Sequence, residues 1–159
     1  MGNSNYTTKD LYGKQRFKLY YIDKYNKKTY IGCGYNNEFL EFQNNDIIEG
    51  FHCGFISHDD NLIIESWVTR SNEKYVIMDI TGGDYDNGVN VHFDDKVNKK
   101  CGSSSGNQEF VFTNDNRIRC KHNERYLTIG NGRLIMANKE TDPNKEYLQK
   151  FYKGNLYGK

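Results

Sequence analysis

Along this chain, apolar and polar residues alternate in short runs, and clusters of Asn, Gly and Asp separate the runs. Phe17-Lys18-Leu19-Tyr20-Tyr21 predicts a strand, the turn Asn26-Lys27-Lys28 follows, and Thr29-Tyr30-Ile31-Gly32 predicts a second strand. Asn36-Asn37 turns the chain into Phe39-Leu40-Glu41-Phe42, and Gly50-Phe51-His52-Cys53-Gly54-Phe55 predicts a closing strand. A second set opens at Asn61-Leu62-Ile63-Ile64-Glu65-Ser66-Trp67 and continues through the β-branched run up to Met78-Asp79-Ile80. The polar stretch Thr81 to Gly88, with a Gly-Gly and an Asn-Gly pair, leads into the alternating Val89-Asn90-Val91-His92-Phe93. Gly106-Asn107-Gln108-Glu109-Phe110-Val111-Phe112 ends this set and lays Phe110 and Phe112 on one face. A third set runs from Asn116-Arg117-Ile118-Arg119-Cys120 through Arg125-Tyr126-Leu127-Thr128-Ile129 and Arg133-Leu134-Ile135-Met136-Ala137 to Gln149-Lys150-Phe151-Tyr152. Between its middle strands, Asn131-Gly132 predicts a type I′ hairpin, because both turn positions need positive φ.

The three sets superpose. Asn26-Lys-Lys, Asn72-Glu-Lys and Asn123-Glu-Arg precede Tyr30, Tyr75 and Tyr126, while Phe55, Phe110 and Phe151 stand two residues after Cys53, Gln108 and Gln149. In the second set either Tyr75-Val76 or Ile77-Met78 matches Tyr126-Leu127; a shift of two keeps the same strand face. Three imperfect copies at a period of about forty to fifty residues imply a threefold all-β architecture in which no unit buries its apolar face alone. The boundaries are a polar tail at 1–15 and one domain at 16–159, with repeats at about 16–59, 60–114 and 115–159. A β-sandwich or barrel with hairpins of similar length is the competing arrangement. The repeated Gln-x-Phe favours the threefold one, with Gln satisfying buried backbone groups and Phe filling the core.

Composition narrows the function. Aromatic residues make up 14% of the chain, with 13 Tyr and 9 Phe against a single Pro, which suits strands and turns. A net charge of +1 with interleaved signs supplies no long-range field, so nucleic acid is not an expected partner. No stretch is apolar enough to span a membrane, and residues 1–10 lack the apolar core of a secretion signal, so the expected location is cytoplasmic, with unconventional secretion as the other route. Gly2 invites an N-myristoylation reading, but Tyr6 stands where Ser or Thr is required. The cysteines Cys33, Cys53, Cys101 and Cys120 form no CxxC pair, which argues against zinc, and a reducing compartment makes all four thiols.

Met78-Asp79-Ile80, then Gly82-Gly83 and Asn87-Gly88, then Asn107-Gln108-Glu109-Phe110 resembles a repeat of the ricin B type (R-type) lectin family, which runs from a Leu-Asp-Val strand through Gly-Gly and Asn-Gly to Gln-x-Trp. The resemblance implies a β-trefoil of three four-strand repeats and a non-catalytic carbohydrate-binding module with a galactose-type ligand. It places the sugar-binding residues at Asp79, Gly82, Tyr85, Asn87, His92 and Asn107, with Asp79 accepting hydrogen bonds from sugar hydroxyls and Asn107 assisting. The family's stacking aromatic falls on Asp94 in a gap-free match; Phe93 should point inward, opposite to His92, and Tyr85 is the nearest alternative platform. Gly32 and Thr128 take the place of the Asp in the other two units, so one site is expected, its affinity reinforced by homo-oligomerisation. The secreted members' disulfide within a repeat would fall on Cys33 and Cys53.

Other chemistries fit less well. Asp84-Tyr85-Asp86-Asn87-Gly88 resembles the start of a calcium loop but has its Gly too early and lacks the closing Glu. His52, Cys53 and His58 are explained by a closing strand and its loop, and Ser103-Ser104-Ser105 is a flexible loop with no nucleophile setting. No enzyme activity, cofactor or metal is expected. The rival reading is an intracellular protein-interaction trefoil, actin-binding-like or protease-inhibitor-like, whose partner is a protein rather than a glycan.

Overall fold

A computed structural model describes residues 18–33, 39–43, 52–58, 61–68, 74–80, 87–95, 109–121 and 123–154. They form an all-β structure of antiparallel strands: β1 (Lys18–Ile22), β2 (Lys28–Cys33), β3 (Phe39–Phe42), β4 (His52–His58), β5 (Asn61–Val68), β6 (Lys74–Ile80), β7 (Val89–Asp95), β8 (Phe110–Phe112), β9 (Ile118–Cys120), β10 (Tyr126–Gly130), β11 (Arg133–Ala137) and β12 (Tyr152–Gly154). One turn of 3-10 helix, Glu146–Gln149, precedes the last strand. No helix among the described residues is long and apolar enough to cross a membrane.

The strands form two sheets, β12-β1-β2-β3 and β4-β5-β6-β7-β11-β10-β9-β8, and an added pairing of β5 with β8 curls the larger one back on itself. Within these sheets the chain repeats one order of pairing. First pairs with second and second with third in β1-β2-β3, β5-β6-β7 and β9-β10-β11. The next strand then pairs with the start of the following set: β4 with β5 from His58↔Asn61, β8 with β9 at Phe112↔Ile118, and β12 with β1 at Tyr152↔Tyr20. The last of these closes the chain's end onto its beginning.

Local chemistry sets the turns. Asn131 (φ 48) and Gly132 (φ 80) both lie in the left-handed region, giving the expected two-residue turn between Gly130 and Arg133. Between β1 and β2, the Asp23 carboxylate accepts the Tyr25 and Lys27 backbone N–H groups at 2.9 and 3.0 Å while Asn26 takes φ 62. Thr113 does the same work between β8 and β9, its Oγ1 accepting the Arg117 N–H at 2.9 Å with Asn116 at φ 66. Asn87-Gly88 differs from a simple hairpin turn. Gly88 (φ 89) donates its N–H to Met136 O at 2.7 Å, so this pair serves to bring β7 alongside β11.

The core is gathered from all three sets: Leu19, Ile31, Met78, Ile80, Phe110, Ile118, Leu127, Met136 and Phe151 are all fully buried. Phe112 is half-buried against the same cluster, consistent with the face expected for it beside Phe110. Burial confirms the strand face that both registers share. Met78 and Ile80 are buried on β6 as Leu127 and Ile129 are on β10, with Asp79 and Thr128 on the alternate face.

Candidate functional site

β6 and β7 carry the described part of the site expected from the sequence. Their register places Asp79 directly opposite His92, flanked by Met78↔Phe93 and Ile80↔Val91. Since Met78 and Ile80 point into the core, the period-two geometry of a strand sends Asp79 to the other face with His92. His92 Nε2 lies 3.7 Å from Asp79 Oδ1. The two differ in access: the His92 side chain is 43% exposed and Asp79 only 8%. The arrangement therefore offers a recessed carboxylate beside an exposed imidazole, a donor-acceptor pair for hydroxyl groups.

Asn87, exposed at the head of β7, uses its Oδ1 to accept the Asn138 N–H at 2.9 Å, so its side chain links the β6–β7 connection to the end of β11. Gly82, Tyr85 and Asn107 lie outside the described residues, as do Gln108 and the Asp84 and Asp86 of the calcium-like stretch. The side chains of Phe93 and Asp94 are also outside the description. Among the described residues no group of three or more His, Cys, Asp or Glu could hold a metal. Cys120 is buried and forms no disulfide; Cys101 and the side chains of Cys33 and Cys53 fall outside the described part.

In the third set, the polar side chains around Thr128 are engaged within the protein. Gln149 is buried, and its Nε2 donates to Thr128 Oγ1 at 3.0 Å and to Asn138 O at 2.9 Å. Its Oε1 accepts from the Glu140 N–H at 2.9 Å and from Arg117 Nη1. This is the role expected of the Gln in Gln-x-Phe, with Phe151 filling the core two residues on. Gln149, however, sits in the 3-10 turn, not in the strand, because its amide turns inward to reach these four groups.

Arg117 is the feature the sequence reading missed. It is fully buried, donating Nε to Asp115 Oδ2 at 3.1 Å and Nη2 to Glu140 O at 3.2 Å and Glu146 Oε1 at 3.3 Å, with Tyr126 5.8 Å from the guanidinium carbon. Asp115 is itself held below the usual carboxylate range, first by the Thr113 hydroxyl and then by Lys150, Arg117 and Lys139. An Arg just after an Asn-Asp-Asn turn gives little warning of burial, as its partners Glu140, Glu146 and Gln149 are distant in sequence.

On the four-stranded sheet, Tyr152, Tyr20 and Tyr30 are cross-strand partners in a row, with ring centroids 5.6 and 5.2 Å apart. Lys28 Nζ sits 4.9 Å from the Tyr20 ring and Lys18 Nζ 5.5 Å from that of Tyr30. On the opposite face the Tyr21 hydroxyl donates to Glu41 Oε1 at 3.1 Å; burial, followed by the Glu41 charge, pushes its ionisation upward.

Compared with known protein families and with curated proteins, the chain matches no family model and no curated sequence.

Proposed function

We propose that this chain is a β-trefoil of the R-type lectin kind: a non-catalytic carbohydrate-binding module with one galactose-type site in its second repeat, centred on Asp79. The observation that carries this reading is the Asp79–His92 pair on neighbouring strands, since a carboxylate acceptor and an imidazole 3.7 Å away suit adjacent sugar hydroxyls. The trefoil reading is supported by the thrice-repeated pairing order, by the β12–β1 closure and by the Gln149 and Phe151 roles. Gly32 and Thr128 supply no carboxylate at the equivalent positions, and Thr128 is bonded to Gln149, which leaves the second repeat as the sugar-binding one.

One observation favours the second reading, a protein-interaction trefoil: Asp79 is only 8% exposed, a depth that suits a structural role as well as a ligand site. The two separate in a glycan array with reduced protein, followed by titration of any hit against Asp79→Ala. Binding of a galactose-type glycan that is lost in Asp79→Ala, with folding retained, supports the lectin. A blank array from folded protein at millimolar-sensitive concentrations, or a hit unaffected by the substitution, rejects the Asp79 site.

A further inference from the structure

We propose that the β1–β2 tip, Lys24 to Lys28, is a docking element for a polyanionic, sulfated glycan. Tyr25 at its apex is 71% exposed and is the exposed large hydrophobic residue of the described chain. Lys24 precedes it, Lys27 and Lys28 follow, and all three lysines are exposed. The one acid of the turn, Asp23, is engaged in hydrogen bonds with its neighbours. Besides the Tyr25 and Lys27 N–H groups it accepts the Thr29 hydroxyl and the Gln43 amide, each at 3.3 Å, and the bonds from Lys27, foremost, and from Tyr25 and Thr29 hold its carboxyl below the usual range. The tip thus presents three lysines against one hydrogen-bonded carboxylate, a net positive charge.

The turn is also ordered before any ligand arrives. Asn26 at φ 62, the Asn26 N–H to Asp23 O bond at 2.9 Å and the Asp23 N–H to Lys27 O bond at 2.8 Å fix the backbone that carries Tyr25. Lys24 Nζ rests 5.3 Å from the Tyr25 ring and Lys28 Nζ lies over Tyr20, so two of the three ammonium groups are already placed. The backbone of the tip therefore needs no rearrangement to present these groups.

Charge and apolar area together select the ligand class. Tyr25 is the one exposed large hydrophobic residue among those described, too little apolar surface to hold a bilayer, yet its ring matches the C–H face of one pyranose. Lysines on both sides of that ring suit anionic groups repeated along a chain, as sulfates are. This contact lies in the first repeat and stands whether or not Asp79 binds sugar.

The test is calorimetric titration of the full chain with a heparin oligosaccharide at about 50 and about 150 mM salt. Binding should weaken with salt as a contact of about three charges does. Lys24→Ala/Lys27→Ala/Lys28→Ala should lose at least about tenfold in affinity, Tyr25→Ala about fivefold, and Lys145→Ala, an exposed lysine elsewhere, nothing. Each variant is first shown by circular dichroism to melt as the parent does, and Lys24→Ala/Lys27→Ala, which leaves the Lys28–Tyr20 contact intact, replaces the triple variant if that one melts early. No heparin binding by the parent, equal binding by the tip variants, or an equal loss in Lys145→Ala overturns the proposal. Tighter tip-dependent binding to phosphatidylserine vesicles or to oligo-dT also overturns it, reassigning the tip to lipid or nucleic acid.

Discussion

The Arg117 guanidinium donates to the Gln149 side chain across 32 residues of sequence, and both groups are fully buried. Gln149 belongs to the closing segment of the third set and Arg117 to its opening, so one hydrogen bond ties the two ends of a unit together. The same Gln149 reaches Thr128 on β10 and the backbone at Asn138 and Glu140, which makes it the hub of that unit.

Removing the hub should therefore cost more than a single hydrogen bond. Gln149→Ala leaves Arg117 Nη1 and the backbone groups at Asn138 and Glu140 without their shared partner, while Asp115 and Glu146 still balance the guanidinium charge. We expect a loss of about 2–4 kcal/mol. Urea denaturation of the variant measures it; a loss below about 1 kcal/mol would show that water replaces the amide without penalty.

Core aromatics test the packing separately from the polar network. Phe110 is fully buried where β8 meets β5, and Phe110→Ala should destabilise by about 3–5 kcal/mol through the cavity left behind. Asp79→Ala, on the opposite face of its strand from the core, should cost much less. Parallel melting curves compare the two.

The β10–β11 turn isolates a backbone effect. A Cβ built on Gly132 would meet nothing within 4 Å, so Gly132→Ala has only its φ of +80 to oppose it, at about 1–2 kcal/mol. Asn131→Gly should be close to neutral. Equal stability of Gly132→Ala and the parent in urea would mean that the turn relaxes away from type I′.

Stability should fall in acid in part through Asp115. Its folded-state pKa is depressed, mainly by the Thr113 hydroxyl, so its contribution is complete above the unfolded value of about 3.9 and is lost as the pH drops through the lower folded value. Asp115→Asn should flatten that acid limb while leaving the slope near neutral pH unchanged. Denaturation midpoints from about pH 2 to 6 give the comparison, and an unaltered acid limb would assign the loss to other carboxylates such as Asp23.

Strand positions and turn types were determined by the sequence itself, because they depend on neighbours along the chain. Period-two alternation marked Thr29–Gly32, Phe39–Phe42 and Arg133–Ala137, and Asn131-Gly132 named its own turn through the positive φ it demands. The expected buried amide and buried ring of Gln-x-Phe are present at Gln149 and Phe151.

Tertiary structure alone decided how these pieces meet. That β12 pairs with β1 and that Asn87-Gly88 joins β7 to β11 depend on residues far apart in sequence. Burial of Arg117 belongs here too: a charged residue becomes a core residue only when Asp115, Glu146, Gln149 and the Glu140 carbonyl converge on it. The candidate site divides along the same line. Sequence named Asp79 and His92, while the pairing of β6 with β7 brought them to 3.7 Å and sank the carboxylate, because cross-strand register is a property of two strands and of neither one alone.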